Sequence, residues 1–394
     1  MSDAKRNVIA TAFADVGIVP EDEEAWASMH HIIGVVKDAT TQSPVIDAQV
    51  IAVATEGWGG GVGYTDGNGN YDVKVNRAVY TVSVYAPGYR MYRIENVDLS
   101  QLFILNHYMD TIYLTPLSLG DDTQNVFASG KITNALSGQA LEGVTVKFRN
   151  GSNNQSGSYV QTVVGLDIEL TTDSSGQYYT AALPAGNYTL EASKAGYITG
   201  YTNIISGNSE ICSSQNVSLT PELQPGALRI VLEWGQNPHD MDSHVVGTLS
   251  NGTAFHVYFS HKSQFDDGTE VCNLDVDDVS SYGPETITLI PTTSTPYYYY
   301  IKKFSGTGTT ATSEARVTVY QGNNVLATFY VPTNQGDGDF WNVFAVVDGE
   351  IVVRNTVTAS AETSYAGSRD SRSTVSAMKM LLDNDMDEVK DYEK

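Results

Sequence analysis

Apolar and polar residues alternate in short runs along most of this chain. Tyr80, Val82 and Val84 fall on one side of an extended segment with Thr81 and Ser83 on the other, and Tyr188, Leu190 and Ala192 repeat the arrangement with Thr189 and Glu191 turned to water. A period of two marks a pleated strand with one buried face. Leu228, Ile230, Leu232 and Trp234, alternating with Arg229 and Glu233, predict a third such strand, and further strands are expected over 315–320, 325–331 and 340–346. Clusters such as Asp66-Gly67-Asn68-Gly69, whose residues tolerate the positive φ of tight hairpins, separate the runs. The predicted class is all-β. Helical spacing occurs only in the tails, at Val8, Ile9, Ala12, Phe13 and Val16 and again at Val375, Met378, Leu381 and Leu382, before the acidic stretch 383–388. Each tail reads either as a partly ordered segment or as a short docking helix.

The chain also repeats itself. Thr65-Asp66-Gly67-Asn68-Gly69-Asn70-Tyr71 lies over Thr172-Asp173-Ser174-Ser175-Gly176-Gln177-Tyr178, and Tyr80 to Tyr89 lies over Tyr188 to Tyr197 at nearly constant spacing. Gly34-Val35-Val36-Lys37-Asp38-Ala39 matches Gly130-Lys131-Ile132-Thr133-Asn134-Ala135 at the start of each copy. This order of motifs resembles the carboxypeptidase-regulatory-like, or transthyretin-like, module. The resemblance implies a small β-sandwich for each copy and says little about function, since such modules act as stalks, spacers, adhesion units and carbohydrate-binding-like domains. The polar linker 118–125 predicts that the two copies sit close with some hinge freedom.

A different module follows Leu223-Gln224-Pro225-Gly226. It carries Trp234-Gly235-Gln236-Asn237-Pro238-His239-Asp240-Met241-Asp242-Ser243-His244, then Leu274-Asp275-Val276-Asp277-Asp278, then Tyr282-Gly283-Pro284-Glu285-Thr286-Ile287. The set closely resembles an uncharacterised bacterial domain family found in secreted or surface proteins, and is more weakly similar to the calcium-binding tellurium-resistance family. The expected architecture is three tandem antiparallel β-sandwich modules over 29–117, 126–222 and 226–356, with tails at 1–28 and 357–394. A length of 394 residues suits that number.

Charge narrows the partners. With 46 acidic against 22 basic residues the net charge is −24, which repels nucleic acid and anionic bilayers and favours cations. No apolar run is long enough for a membrane span. Residues 1–29 lack the basic flank and apolar stretch of a secretory signal, yet the resemblances place the protein outside the cell or on its surface more readily than in the cytoplasm. Cys212 and Cys272 have no metal-ligand spacing and read equally as a disulfide or as two buried thiols.

Calcium takes six to eight hard oxygen ligands, several of them carboxylates on loops. Asp240 and Asp242 stand two residues apart, Asp275 and Asp277 repeat the spacing, and Asp278 and Glu285 follow; massed carboxylates repel, and a bound cation offsets this. The competing reading is that each Asp caps a turn. His244 and His256 are candidate nitrogen ligands for a transition metal. Ser243 and His244, adjacent on a strand, point to opposite faces and form no catalytic pair. Trp58, Tyr64, Tyr89 and Tyr92 are candidate sugar-stacking residues, and Tyr297 to Tyr300, if a strand, would leave an exposed aromatic pair. The expectation is therefore a non-enzymatic structural or adhesion protein whose third module binds calcium. Its alternatives are a calcium-dependent binder of a glycan or protein ligand and an intracellular partner-binding protein, and self-assembly through unblunted sheet edges is open to all three.

Overall fold

The computed structural model describes residues 30–56, 59–100, 105–119, 126–293 and 295–363. The apolar stretches 8–16 and 375–382 of the two tails, each read as a partly ordered segment or a docking helix, lie outside them, as does Trp58. The described residues form two compact units, one ending at Glu222 and one beginning at Leu223. The fold is all-β, as the alternation predicted. Among the described residues no helix is long and apolar enough to cross a membrane.

The first unit contains both repeats. In the first, β1 (His30–Asp38), β2 (Gln49–Ala54), β3 (Gly60–Tyr64), β4 (Asn70–Val75), β5 (Val79–Tyr85), β6 (Tyr92–Asp98), β7 (Asn106–Tyr108) and β8 (Ile112–Leu114) make two facing sheets. One runs β4-β1-β7 with β8 also on β1, and the other runs β3-β2-β5-β6. In the second repeat, β9 (Ala128–Asn134), β10 (Thr145–Asn150), β11 (Glu169–Thr171), β12 (Gln177–Thr180), β13 (Gly186–Ser193), β14 (Gly200–Ser206) and β15 (Val217–Leu219) form sheets ordered β12-β9-β15 and β11-β10-β13-β14. Most ladders are antiparallel. The exceptions are β7 and β8 on β1 and β15 on β9, where the last strand of each repeat returns to run parallel beside the first.

The repeated motif has a shared physical basis. Thr65 Oγ1 donates to Val45 O at 2.6 Å and accepts from Ala48 N at 2.8 Å; Thr172 Oγ1 donates to Leu141 O at 2.6 Å and accepts from Val144 N at 2.9 Å. Asp66 Oδ1 gathers the Asn68 and Asn70 N–H groups, and Asp173 Oδ1 those of Ser175 and Gln177. Gly69 and Gly176 have φ of +80° and +73°, and a Cβ on either would meet the Val36 or Ile132 carbonyl oxygen at 2.5 Å, so glycine is required twice over. Tyr71 and Tyr178 are buried, and the later tyrosines bond the fifth residue of each copy's opening segment, Tyr89 to Asp38 at 2.7 Å and Tyr197 to Asn134 at 3.0 Å. Thr172→Val should lower the stability of the first unit by about 1–3 kcal/mol, because the buried Val144 N–H and Leu141 carbonyl each lose a partner. A denaturation midpoint that falls at unchanged slope is the expected reading; an unmoved midpoint would contradict it.

Direct contacts join the repeats. Ser152 bridges to β6, its amide donating to Arg93 O and its carbonyl accepting from Glu95 N, both at 3.2 Å. Asn187 Nδ2 donates to Tyr113 O at 3.1 Å, and the Ser209 hydroxyl donates to Ala39 O. Ala39, Ile205 and Cys212 form a small apolar cluster across the junction. The linker predicted two copies that sit close with some hinge freedom; they are close, and these contacts hold the pair together. Thr189, expected to face water, is buried, because its hydroxyl donates to Gly151 O and accepts from Asn154 N in the loop folded over it. Cys212, in the first unit, and Cys272, in the second, are each a free, buried thiol.

The second unit is a larger sandwich of β16 (Leu228–Glu233), β17 (Asp240–Thr248), β18 (Ala254–Val257), β19 (Ser263–Asp266), β20 (Thr269–Val276), β21 (Glu285–Leu289), β22 (Tyr297–Ser305), β23 (Arg316–Gln321), β24 (Asn324–Tyr330), β25 (Phe340–Val347) and β26 (Glu350–Thr358). One sheet is ordered β19-β20-β21-β16-β23-β24 and the other β18-β17-β22-β25-β26. Leu228, Ile230, Leu232 and Trp234 enter the core between them with Met241, Val245, Ile287, Tyr299, Trp341 and Phe344.

Candidate metal centre

The three motifs of the second unit are drawn together at one end of the sandwich. Trp234, at the end of β16, is buried and donates from Nε1 to Pro238 O at 3.0 Å, which folds the Gly235–His239 loop back over the ring. Tyr282 N donates to Gly235 O at 3.2 Å, and Ser281 Oγ to Gln236 O at 2.7 Å. Gly283 has φ +75°, and a Cβ there would lie 2.8 Å from the Trp234 ring. The tryptophan thus fixes both the loop that leads into β17 and the turn that leads into β21.

Asp242 of β17, Glu285 of β21 and Asp277, just past β20, converge so that one carboxylate oxygen of each lies within 4.8 Å of the others. The two sheets meet here. β18 pairs with β17 only from Val245 to Thr248, and before that stretch Glu285 Oε2 takes the Ser243 N–H. Glu285 is 1% and Asp242 3% exposed. Asp242 Oδ2, Asp277 Oδ1 and Glu285 Oε1 are all buried with no hydrogen-bond partner.

Leaving buried carboxylate oxygens unpaired is costly, and the electrostatics register it. Burial pushes Asp242 up to about 7, with the charges of Asp240 and Asp277 adding to the rise and Lys302 opposing it. Burial also raises Glu285 well above the usual carboxylate range, against the Ser243 hydrogen bond and with help from Asp242 and Asp277. Asp240 is raised by burial and then by Asp277. Such a group of carboxyls either holds protons or holds a cation. The donors are hard oxygens only, the set suited to calcium rather than to zinc or copper.

The six acidic residues expected from the sequence separate. Asp242, Asp277 and Glu285 form the cluster, and Asp240 stands beside it. Asp275 does not join them. A bulge between Leu274 and Val276 in the β20–β21 ladder breaks the alternation, and Asp275 accepts instead from Asn273 Nδ2 at 2.8 Å and Thr288 Oγ1 at 2.5 Å. Asp278 Oδ1 caps its own turn through Ser280 N at 2.8 Å. Lys262, whose Nζ is 2.7 Å from Asp277 Oδ2, had no signal in the sequence, because the loop that brings it there has no periodicity to read.

Ser243 and His244 do point to opposite faces. Ser243 Oγ meets Tyr299 OH at 2.9 Å inside the core, whereas His244 Nδ1 lies 2.8 Å from His256 Nε2 on the outer face. The two histidines stack with Tyr258, and His244 also with Tyr300. Burial depresses His244 to about 3. The exposed aromatic pair expected within Tyr297–Tyr300 is absent: all four rings are buried. Tyr298 packs with Ala345 and Val352 under the Arg354 guanidinium, and Tyr300 is covered by His244.

No curated protein matches the chain. Among solved structures, the Bacillus anthracis TIE protein is similar over 70% of this chain at 13% identity with a TM-score of 0.19, and the chain spans 45% of its length. The shaft pilin SpaA of Lactobacillus rhamnosus GG aligns over its full length with 50% of this chain, at 15% identity and a TM-score of 0.21. The minor pilin GBS52 of Streptococcus agalactiae aligns over 98% of its own length and 50% of this chain, at 12% identity and a TM-score of 0.20. Residues 128–220, the second repeat, match the carboxypeptidase regulatory-like domain family.

Proposed function

We propose that this chain is a non-enzymatic, multi-module extracellular or surface protein whose second unit binds one calcium ion through Asp242, Asp277 and Glu285, with the two repeats as the scaffold that carries it. The observation behind this reading is the set of three buried carboxylate oxygens, one from each residue, that lack any hydrogen-bond donor while the carboxylates converge within 4.8 Å. A divalent cation supplies at once the charge and the coordination these oxygens lack, and Asp240 lends a further negative charge beside it. The scaffold role is supported by the contacts between the repeats, which make one compact unit of the two.

Calorimetric titration of the full chain with calcium tests the proposal. Saturable binding of one ion per chain is expected, with magnesium much weaker because it dehydrates reluctantly and demands near-ideal octahedral geometry. Absence of binding at millimolar calcium would end it.

A further inference from the structure

Lys262 touches the candidate centre from outside. Its Nζ is 2.7 Å from Asp277 Oδ2, and the other oxygen of the same carboxylate, Oδ1, is the one left buried and unpartnered. The backbone fixes the lysine's origin: Tyr258 and His261 exchange N–H···O bonds of 3.1 and 2.9 Å that close the turn before it, and the Lys262 carbonyl accepts from Leu274 N at 2.7 Å, on the strand that leads to Asp277. A second ammonium, on Lys302, is carried directly opposite Asp242 in the β17–β22 ladder. The carboxylates Asp240, Asp242, Asp277 and Glu285 outnumber these two lysines, and Asp278 adds its charge near Asp240, so the centre keeps a net negative charge when all are ionised.

We infer that Lys262 is a specificity-determining residue of this centre: it orients Asp277 through Oδ2, and its fixed charge weakens cation binding more steeply the higher the charge of the ion. The inference rests on the cation-site reading proposed above. Repulsion from a fixed ammonium scales with the charge of the bound ion, so a trivalent ion is penalised half as much again as a divalent one. Lys262 is 49% exposed at its side chain, so it can be replaced without opening the core.

The test compares calcium, followed by calorimetry, with terbium, followed by luminescence, on the full chain. Lys262→Gln keeps an N–H donor for Asp277 but loses the charge; it should tighten calcium about tenfold and terbium about thirtyfold, moving the ratio about threefold. Lys262→Arg keeps the charge and should stay within about twofold of the parent for both ions. Unchanged affinities, equal gains for the two ions, or weaker binding of both in Lys262→Gln would overturn the role of Lys262 while leaving the centre standing. A parent chain that binds neither ion removes the centre and the inference together.

Discussion

In the presence of a chelator, Asp242→Asn should raise the melting temperature of the second unit at pH 8, and the same substitution should abolish the stabilisation by calcium. The sign follows from the direction of the shift. Asp242 moves from 3.8 to about 7 on folding, so between those values the folded chain holds more protons than the unfolded one. Stability then falls as pH rises through that window and levels off above it. Glu285, raised by the same burial, acts with the same sign. The parent chain in chelator should therefore melt at a higher temperature at pH 5 than at pH 8, with a shallower slope in Asp242→Asn.

Calcium reverses the trend, because it binds the ionised carboxylates and competes with protons. At a hundredfold excess over its dissociation constant, a ligand specific to the folded state stabilises by about 2.7 kcal/mol, on the order of 5–10 °C for a unit of this size. The increment should be larger at pH 8 than at pH 5 and absent from Asp242→Asn. Scanning calorimetry at the two pH values reads all of this. An Asp242→Asn chain that is less stable in chelator and still responds to calcium would show that the carboxylates are structural.

The second large effect is expected at Trp234. Its ring is buried in the core and its Nε1 holds the Pro238 carbonyl, so Trp234→Ala should cost the second unit about 3–5 kcal/mol and leave the first unit's transition in place. Calcium binding should suffer beyond the loss of stability, because the Gly235–His239 loop sets the entry of Asp240 and Asp242 into β17, and the same ring packs against Gly283 ahead of Glu285. Trp234→Phe fills most of the volume but loses the N–H, and should cost about 1 kcal/mol while weakening calcium measurably. If Trp234→Phe binds calcium as tightly as the parent, the indole hydrogen bond does not position the centre.

The alternation of Tyr80, Val82 and Val84, all buried, made the sheets of the repeats readable from the chain, because one-sided burial imposes a period of two. The Thr, Asp, Gly and Tyr of the duplicated turn were readable for a local reason, since each serves a bond or a backbone angle within a few residues. The carboxylate centre was only half legible. Asp242 and Glu285 lie in dense motifs, but Asp275 and Asp277 look alike in sequence, and a single bulge sends them to different places. Tyr298 and Tyr300 show the same limit: alternation places them on the outer face, and only the packing of Val352, Arg354 and His244 around them determines that the face is covered.

The parallel return of β15 onto β9, and of β7 and β8 onto β1, has a mechanical consequence. When the first and last strands of a module lie side by side and run the same way, a pull on its two ends slides them past each other along their length. The interstrand hydrogen bonds are then loaded together instead of opening one after another from an end. Each repeat is therefore expected to resist a pull on its ends more than a module whose strands open one bond at a time.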